Sequence, residues 1–559
     1  MMTPTLPNPT EPLPALSPER PLHFVGIGGI GMSGLARIAL QQGFQVSGSD
    51  PKGNRQTDWL AQHGATIYKG HSAHQVPQGA CVVLSSAIQA NNPEWQVARE
   101  HQWPILHRSD LLKHILQHPQ FCHMATLGVS GSHGKTSTTG MLGQLLAAYA
   151  LSPTVIAGGE IPAWQTNACL GETYPLFPDS SITGRVAVAE LDESDGTLVK
   201  YQPTHLIILN VELDHADHYT DGLAGLLATF RQTIQGMANT PSDHTVFSRT
   251  VIANATCPNT VPLAFEALKL GLTVLWFGMD TPLESARAQW ANWVPDAETI
   301  LTQASERWAY LAGQSHGRNH QGYPLMTAHW SNCPETLWGQ RTAIILSETN
   351  AALATPVPLG VYGEHFIGSA LASIAALCSV AGRFTNVAFD QIPQGLASFT
   401  GMGKRFERVS NAKGAIWIDD YAHHPTEIEA TLATARACMD ASKTQYPNAK
   451  LWVCLQAHRY SRLAAFFDRF AASVALADEI IVMPVYAAGE PEKPEATHTA
   501  LTQAMQHQFP SKAITAWSAD EVSPWPALQQ HLLANVQPGD WVLGLGAGDI
   551  TYAFRSLPQ

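Results

Sequence analysis

The chain has 559 residues, 45% hydrophobic and 14% charged, the balance of a globular protein long enough for three to four domains with separate cores. A formal net charge of −13 argues against a nucleic-acid partner, although a local cradle of amides and arginines still suits an anionic substrate. No apolar run approaches ~18 residues, so no membrane partner is expected, and eight cysteines without a Cys-x-x-Cys pair suggest neither disulfides nor zinc, which points to a reducing compartment, the cytoplasm.

Pro4, Pro7, Pro9, Pro12, Pro14 and Pro18, with no apolar core between them, predict a disordered tail over residues 1–20 rather than a signal peptide. From Pro21, His23-Phe24-Val25 reads as a strand entering Gly26-Ile27-Gly28-Gly29-Ile30-Gly31-Met32-Ser33-Gly34, followed by an Ala/Leu-rich helix. A second strand, Gln45 to Ser49, ends in Asp50, nineteen residues after Gly31. This is a dinucleotide fingerprint in its strand–turn–helix setting: Gly26 for the tight turn, Gly28 for close approach of a pyrophosphate, Gly31 for helix packing on the strand. It calls for a pyrophosphate without saying which nucleotide carries it. Cys81 to Leu84 reads as a strand running into Ser85 and Ser86, Asn92-Pro93-Glu94 starts another helix, and Gln117-His118-Pro119 reads as a linker.

A second glycine turn follows. His123 to Val129 reads as a buried strand and Thr136 to Tyr149 as a helix, joined by Gly128-x-x-Gly131-x-x-Gly134-Lys135-Thr136. The strict phosphate-loop pattern wants glycine at position 129, where valine stands, so the loop is a respaced version. Amides around Ser130, Ser132, His133 and Ser137 would cradle phosphate, Lys135 would reach the β/γ-phosphates and the Thr136 hydroxyl would ligate Mg²⁺, which makes this an ATP site. A dehydrogenase needs only the first turn and a simple ATPase only the second; an enzyme that activates a nucleotide-linked substrate with ATP needs both. Val186 to Ala189 then reads as a strand delivering Glu190, Asp192, Glu193 and Asp195, either a Mg²⁺ ligand set or a solvated acidic loop. The next strand, His205 to Val211, delivers Asn210, Glu212, Asp214, His215, Asp217 and His218. A second Mg²⁺ site through His215 suits an ATP enzyme better than zinc, which lacks a cysteine or spaced histidine pair here.

Between residues 236 and 360 the sequence says least. Trp276, Trp290, Trp293, Trp308, Trp330 and Trp338 predict a packed core rather than a binding stripe, and Pro282 to Trp338 reads as an insertion. Leu359 to Ala370 opens an Ala-rich helix. From about Thr400, strands at Ala415–Ile418, Leu451–Leu455, Glu479–Val485 and Trp541–Leu545 alternate with helices, which implies another parallel sheet, with Asp419-Asp420, Arg459 and Arg462 past the strand ends. Taken alone, two arginines in that position read equally as a surface salt-bridge set or as carboxylate receptors.

The glycine turns, Ala189-Glu190-x-Asp192-Glu193-Ser194-Asp195 and Asp214-His215 together resemble the Mur ligase family. Gly403-Lys404-Arg405-Phe406-Glu407, Asp419-Asp420-Tyr421-Ala422-His423-His424-Pro425, Gln456-Ala457-His458-Arg459-Tyr460-Ser461-Arg462 and Tyr486-Ala487-Ala488-Gly489-Glu490 agree with it. The resemblance covers Pro21 to about Gln235 and Gly360 to the C-terminus. It implies an α/β protein of three domains: a Rossmann-like UDP-sugar-binding domain (21–118), a central P-loop ATPase-type domain (119–399, with the insertion over 282–338) and a Rossmann-like C-terminal domain (400–559). It also implies ATP, two Mg²⁺ ions, UDP-N-acetylmuramate and L-alanine. Gly26, Gly28, Gly29, Ile30, Gly31, Met32, Ser33, Asp50, Ser85 and Ser86 would hold the UDP-sugar, and Gly128 to Ser137 the ATP phosphates. Glu190, 25 residues before His215, is selected over Glu193 as the metal glutamate. Arg405 would contact the transferring phosphate, Asp420 the ribose, and Tyr421, His423, Arg459 and Arg462 the amino acid and the muramyl carboxylate. His365 would stack on adenine, but Phe366 and Ser369 replace two asparagines of the family pattern, which bears on purine selection. Three other readings stay open: a sister ligase adding a preformed peptide, a nicotinamide dehydrogenase, and a catalytically impaired sugar-nucleotide sensor.

Overall fold

The computed structural model describes residues 16–121, 123–175, 183–213, 219–240, 247–319, 323–331, 351–384, 391–441, 443–517 and 524–557. The chain forms two compact units, Met1–Gln314 with Thr327–Thr355 and Gly368–Phe399, and Ser315–Met326 with Pro356–Ile367 and Thr400–Gln559. The described residues are α/β, built on three sheets.

The first sheet contains β1 (Leu22–Val25), β2 (Val46–Asp50), β3 (Thr66–Lys69), β4 (Cys81–Leu84) and β5 (Ile105–His107) in the order β3-β2-β1-β4-β5, all parallel. β1 and β4 are buried at every residue, as expected for strands covered on both faces. The order reverses between β1 and β4, so the ligand crevice at the strands' carboxyl ends falls beside the Gly26 turn. Leu16 is already in the core at 5% exposure, so order begins before the expected Pro21; residues 1–15 of the proline-rich tail lie outside the described residues.

The second sheet contains β6 (His123–Ser130), β7 (Thr154–Ile161), β8 (Thr166–Cys169), β9 (Tyr174–Pro175), β10 (Thr183–Glu190), β11 (His205–Ile208), β12 (Thr250–Asn254), β13 (Thr273–Met279), β14 (Trp308–Arg318), β15 (Pro324–Ser331) and β16 (Ala351–Pro358). Their order is β16-β15-β14-β13-β12-β11-β6-β10-β7-β8, with β9 on β10. β6 lies between β10 and β11 and is parallel to both, with Val129 opposite Glu190 and Ser130 opposite Ile208. Three loops therefore leave the carboxyl ends of adjacent strands: the glycine turn, the acidic loop and the segment from Asn210. That register is why the chemistry-bearing stretches, far apart in sequence, meet.

One hydrophobic cluster, from Leu22 and Phe24 through Leu206 and Val251 to Trp276 and Trp290, joins both sheets of this unit. The Gln117-His118-Pro119 linker is exposed, but Phe121 just after it is buried in the shared core. Helix Ile30–Gln41 packs on β7 and β8 through Gly34, where a Cβ would stand 2.6 Å from Asn167 Nδ2. The packing glycine is thus Gly34. Gly31, expected in that role, faces only the Arg108 guanidinium, 3.5 Å from a built Cβ. Trp276, Trp290, Trp308 and Trp330 are buried and Trp293 packs against the cluster, the core role expected of them; Trp338 lies outside the described residues. Where the insertion was expected, helices Leu283–Trp293 and Ala297–Gln303 precede β14 and β15 at one side of the sheet.

Several buried imidazoles make this unit acid-sensitive. Burial pushes His114 down to about 4, with His118 stacked on it at 4.3 Å, and burial with the Arg249 charge pushes His205 to about 3. A histidine whose folded pKa lies below its unfolded value of about 6.5 stabilises the fold above that pH and loses this contribution as pH falls towards the folded value. Each fully buried ring is worth on the order of 3 kcal/mol. The histidine contribution is lost from about pH 6.5 to 4, so the urea midpoint should be lower at about pH 4.5 than at about pH 7; an unchanged midpoint at pH 4.5 would contradict this.

The second unit contains β17 (Glu407–Ser410), β18 (Ile416–Asp420), β19 (Leu451–Leu455), β20 (Glu479–Val482), β21 (Ala513–Ala516) and β22 (Trp541–Leu545), in the order β17-β18-β22-β19-β20-β21. Only the β17–β18 pairing is antiparallel. Alternate residues feed two cores: Ile418, Val453 and Leu543 on one face, Trp417, Cys454 and Val542 on the other. β20 stops at Val482 rather than Val485 because Pro484 has no amide to donate. No helix among the described residues is long and apolar enough to cross a membrane.

Candidate active site

The phosphate-loop helix, Lys135–Ala148, begins at Gly134, whose φ of 86° a side chain would resist. At Gly131, φ is 128° and a Cβ would stand 2.8 Å from the Asn210 carbonyl oxygen. Asn210 clasps the loop: its carbonyl accepts from Ser132 N at 3.1 Å, its Oδ1 from His133 N at 2.8 Å, and its Nδ2 donates to His133 O at 3.0 Å. Asn210 leaves the ladder to do this, which is why β11 ends at Ile208 and not at the expected Val211. Gly128 lies inside β6 rather than in the turn, and its missing Cβ makes room for Leu191, whose Cδ1 would be 2.3 Å away. Thr136 and Ser137 are buried in the first helical turn.

Lys135 Nζ donates to Gly131 O at 2.8 Å and pairs with Glu193 Oε1 at 3.0 Å. Burial opposes its charge, but Glu193, Asp192 and Glu190 together hold the ammonium above its ordinary pKa. Glu193 is pushed up to about 7 by burial and by Asp192, against the pull of Lys135. Asp192 goes the other way: Lys135 and Arg108 outweigh its burial and hold it well below the carboxylate range. Glu190, at the end of β10, accepts from Gly158 N at 2.7 Å. Sequence reasoning put weight on Glu190 and passed over Glu193, which is the carboxylate that meets the lysine. Ser130 Oγ and Glu193 Oε2 are buried with no hydrogen-bond partner, so the pocket has unsatisfied polar groups of the kind a phosphate–metal ligand would engage. Thr136 and Glu190 offer the hard oxygen donors that suit Mg²⁺. His215 lies outside the described residues.

At the first turn, Gly26 has φ 78° as expected. Asp50 Oδ2 accepts from Gly28 N at 3.0 Å, and a Cβ at Gly28 would stand 2.8 Å from that oxygen, so this glycine first serves the close approach of Asp50. Gly29 is exposed and Ile30 is 39% exposed at the turn, whereas Met32 is in the core and Ser33 Oγ donates to Ile30 O. Ser85 is half-buried, and Ser86 is exposed 3.1 Å from His107 Nε2 and 3.5 Å from Asp195. Arg108, beside Gly31, pairs with Asp192 at 3.3 Å and Asp195 at 3.5 Å, and so links the first turn to the acidic loop. Nothing in the local sequence marked Arg108.

In the second unit, Asp420 is buried and accepts from Phe406 N at 2.6 Å and Ala422 N at 2.7 Å; burial pushes it up to about 6 against the pull of Arg405. Arg405 lies over the Tyr421 ring at 5.2 Å and 3.5 Å from Glu427. His423 Nδ1 lies 2.8 Å from Tyr421 O and 3.3 Å from Glu427 Oε2. Both neighbours are acceptors, so Nδ1 carries a proton. His458 stands between His423 and Tyr486, with centroids 6.0 and 5.5 Å away, and Arg459 and Arg462 follow. His365 is pushed down to about 4 by burial, with Arg318 and Arg405 adding to the effect, so its ring is neutral. Phe366 packs on it at 4.3 Å. Ser369 accepts from Thr138 Oγ1 at 2.9 Å, which ties its helix to the phosphate-loop helix.

A glycine turn cradled at the carboxyl end of a central parallel strand beside an acidic loop, in a chain with a second glycine turn and a third, mostly parallel sheet, defines a nucleotide-dependent α/β enzyme. The chain belongs to the Mur ligase family: the family's catalytic-domain model matches residues 21–120, its middle-domain model 129–305 and its glutamate ligase domain model 404–548. The UDP-N-acetylmuramate–L-alanine ligase of Acaryochloris marina is 34% identical over 548 residues, covering 97% of this chain and 94% of the relative. That of Thermosynechococcus vestitus is 35% identical over 547 residues, covering 96% and 95%. The solved UDP-N-acetylmuramate–alanine ligase of Thermotoga maritima superposes with a TM-score of 0.68 at 25% identity, covering 96% of this chain and 97% of that one. A murein peptide ligase from Psychrobacter arcticus shares the fold, at a TM-score of 0.59 and 19% identity over 97% of this chain and all of that one.

Proposed function

We propose that this protein joins L-alanine to the lactyl carboxylate of UDP-N-acetylmuramate, with conversion of ATP to ADP and phosphate, a step of peptidoglycan precursor synthesis. The observation that carries the reading is Lys135 at the start of the phosphate-loop helix, engaged with the acidic loop of the neighbouring parallel strand. A carboxylate does not acylate an amine at neutral pH, because its oxygen is a poor leaving group. Transfer of the γ-phosphoryl to that oxygen gives an acyl phosphate; the amine then attacks the carbonyl, the C–O bond to phosphate breaks and the amine's proton departs.

Catalysis of such a transfer is positioning and charge neutralisation. Lys135 neutralises phosphate charge, and Asn210 keeps the loop in the conformation that aims its amides. Thr136 and Glu190 would hold one Mg²⁺ ion and His215 a second, and such ions would supply charge neutralisation for the phosphates. Gly26 to Ser33, Asp50, Ser85 and Ser86 are assigned to the UDP-sugar. In the second unit, Arg405 is assigned to phosphate, Asp420 to the ribose, and Tyr421, His423, Arg459 and Arg462 to the amino acid and carboxylate. His423 is assigned either to take the proton of the amine or to position the amine.

Phosphate release from ATP, measured with UDP-N-acetylmuramate and Mg²⁺ across single amino acids and the murein tripeptide, tests the substrate. Release with L-alanine is expected, with serine and glycine weaker by roughly tenfold to a few hundredfold, since one methyl group discriminates modestly. Release only with the tripeptide would make this a peptide-adding ligase instead.

A further inference from the structure

The Tyr486–Glu490 motif has no part in the chemistry above. We propose that Glu490 is a positioning residue for the amino-acid site: it fixes Arg459 and the helical turn carrying Arg462 in the orientation that receives a carboxylate. The proposal rests on the role given to those arginines under Proposed function.

Arg459 is the N-cap of helix Tyr460–Ala465, with φ 67° and ψ 133°, and makes no side-chain capping bond. A non-glycine residue with positive φ persists only where its surroundings hold it. Glu490 replaces the missing cap from a distant loop: Oε2 accepts from Ser461 N at 2.9 Å and Oε1 from Ser461 Oγ at 2.7 Å. Oε1 also lies 3.9 Å from Arg459 Nη1, so the same carboxylate draws the guanidinium towards it. The backbone completes the clasp: Arg459 N donates to Tyr486 O and Tyr486 N to Ala457 O, both at 2.9 Å.

The loop itself is shaped for this. Glu490 N donates to Ala487 O at 3.0 Å, closing a turn whose central residues, Ala488 and Gly489, have φ of 50° and 86°. Positive φ at both central positions is the signature of a type I′ turn, and it folds Glu490 back onto the start of the arginine helix. Arg462 lies in the same short helix as Ser461, directly after Arg459, so a restraint on the start of that helix acts on both arginines.

Steady-state kinetics with L-alanine varied, at saturating ATP and UDP-N-acetylmuramate, tests this. Glu490→Ala should raise KM for L-alanine about tenfold or more and leave KM for ATP unchanged. Glu490→Gln keeps an acceptor for Ser461 N and should recover most of the loss; Ser461→Ala, which removes only the hydroxyl bond, should fall between. An unchanged alanine KM in Glu490→Ala, or a loss confined to kcat that tracks a lowered Tm, would overturn the role alone. Wild-type protein that uses no amino acid would overturn the functional reading and this role with it.

Discussion

Lys135→Ala should lower kcat for L-alanine-dependent phosphate release by about a thousandfold or more, with the protein still folded. The loss follows from removing a preorganised charge at the transferring phosphate, where single groups are worth on the order of 10²–10³ and phosphoryl transfer has little else to draw on. The tolerance of the fold follows from Glu193. Its carboxyl is already pushed up to about 7 by burial and Asp192, and the lysine is what opposes that rise. Without the lysine, Glu193 is driven to its neutral form, and Asp192 keeps its pairing with Arg108. Lys135→Arg should also be impaired, because a planar fork does not replace a compact ammonium tucked against Gly131 O. Stopped assays for kcat with a parallel melting curve check both statements; turnover within tenfold of wild type would contradict them.

Lys200→Met should destabilise the protein by about 3 kcal/mol, because it leaves a buried carboxylate without its counter-charge. Lys200 Nζ lies 2.6 Å from Asp110 Oδ1 and 3.0 Å from Ser109 Oγ, and both charged side chains are less than a tenth exposed. Asp110 also accepts from His107 N at 3.0 Å, so it pins the start of the helix that carries Arg108. Adding Asp110→Asn to Lys200→Met should recover part of the loss, since the amide oxygen keeps the His107 bond and no charge is left unpaired. Urea titration of the two single variants and the double variant measures the coupling; additive losses would show that the pair does not act as a unit.

What was legible in the sequence was local. The two glycine turns each carry their strand, turn and helix within one short stretch, and their positive-φ positions at Gly26, Gly131 and Gly134 follow from the turn itself. Parallel sheets were readable from apolar runs alternating with helical segments. The contacts that hold the site together were not readable, because they join residues far apart. Asn210 clasps His133 across 77 positions, Lys135 meets Glu193 across 58, and Arg108 meets Asp192 across 84. The family resemblance pointed to Glu190 as the metal carboxylate, but only the β6–β10 register brings Glu193 against the lysine. Gly31 and Gly128 were given their textually expected duties from the motif pattern, and each turned out to face a side chain, Arg108 in one case and Leu191 in the other. A glycine pattern specifies where side chains are excluded, not what fills the space.

Oxygen-isotope transfer tests the central claim most directly. UDP-N-acetylmuramate labelled with ¹⁸O in its lactyl carboxylate is turned over with ATP, Mg²⁺ and L-alanine, and the released phosphate is analysed by mass. Activation through an acyl phosphate places one ¹⁸O in each phosphate, with UDP-N-acetylmuramoyl-L-alanine as the other product. Unlabelled phosphate alongside that product, or phosphate released with no amide formed, would contradict the account.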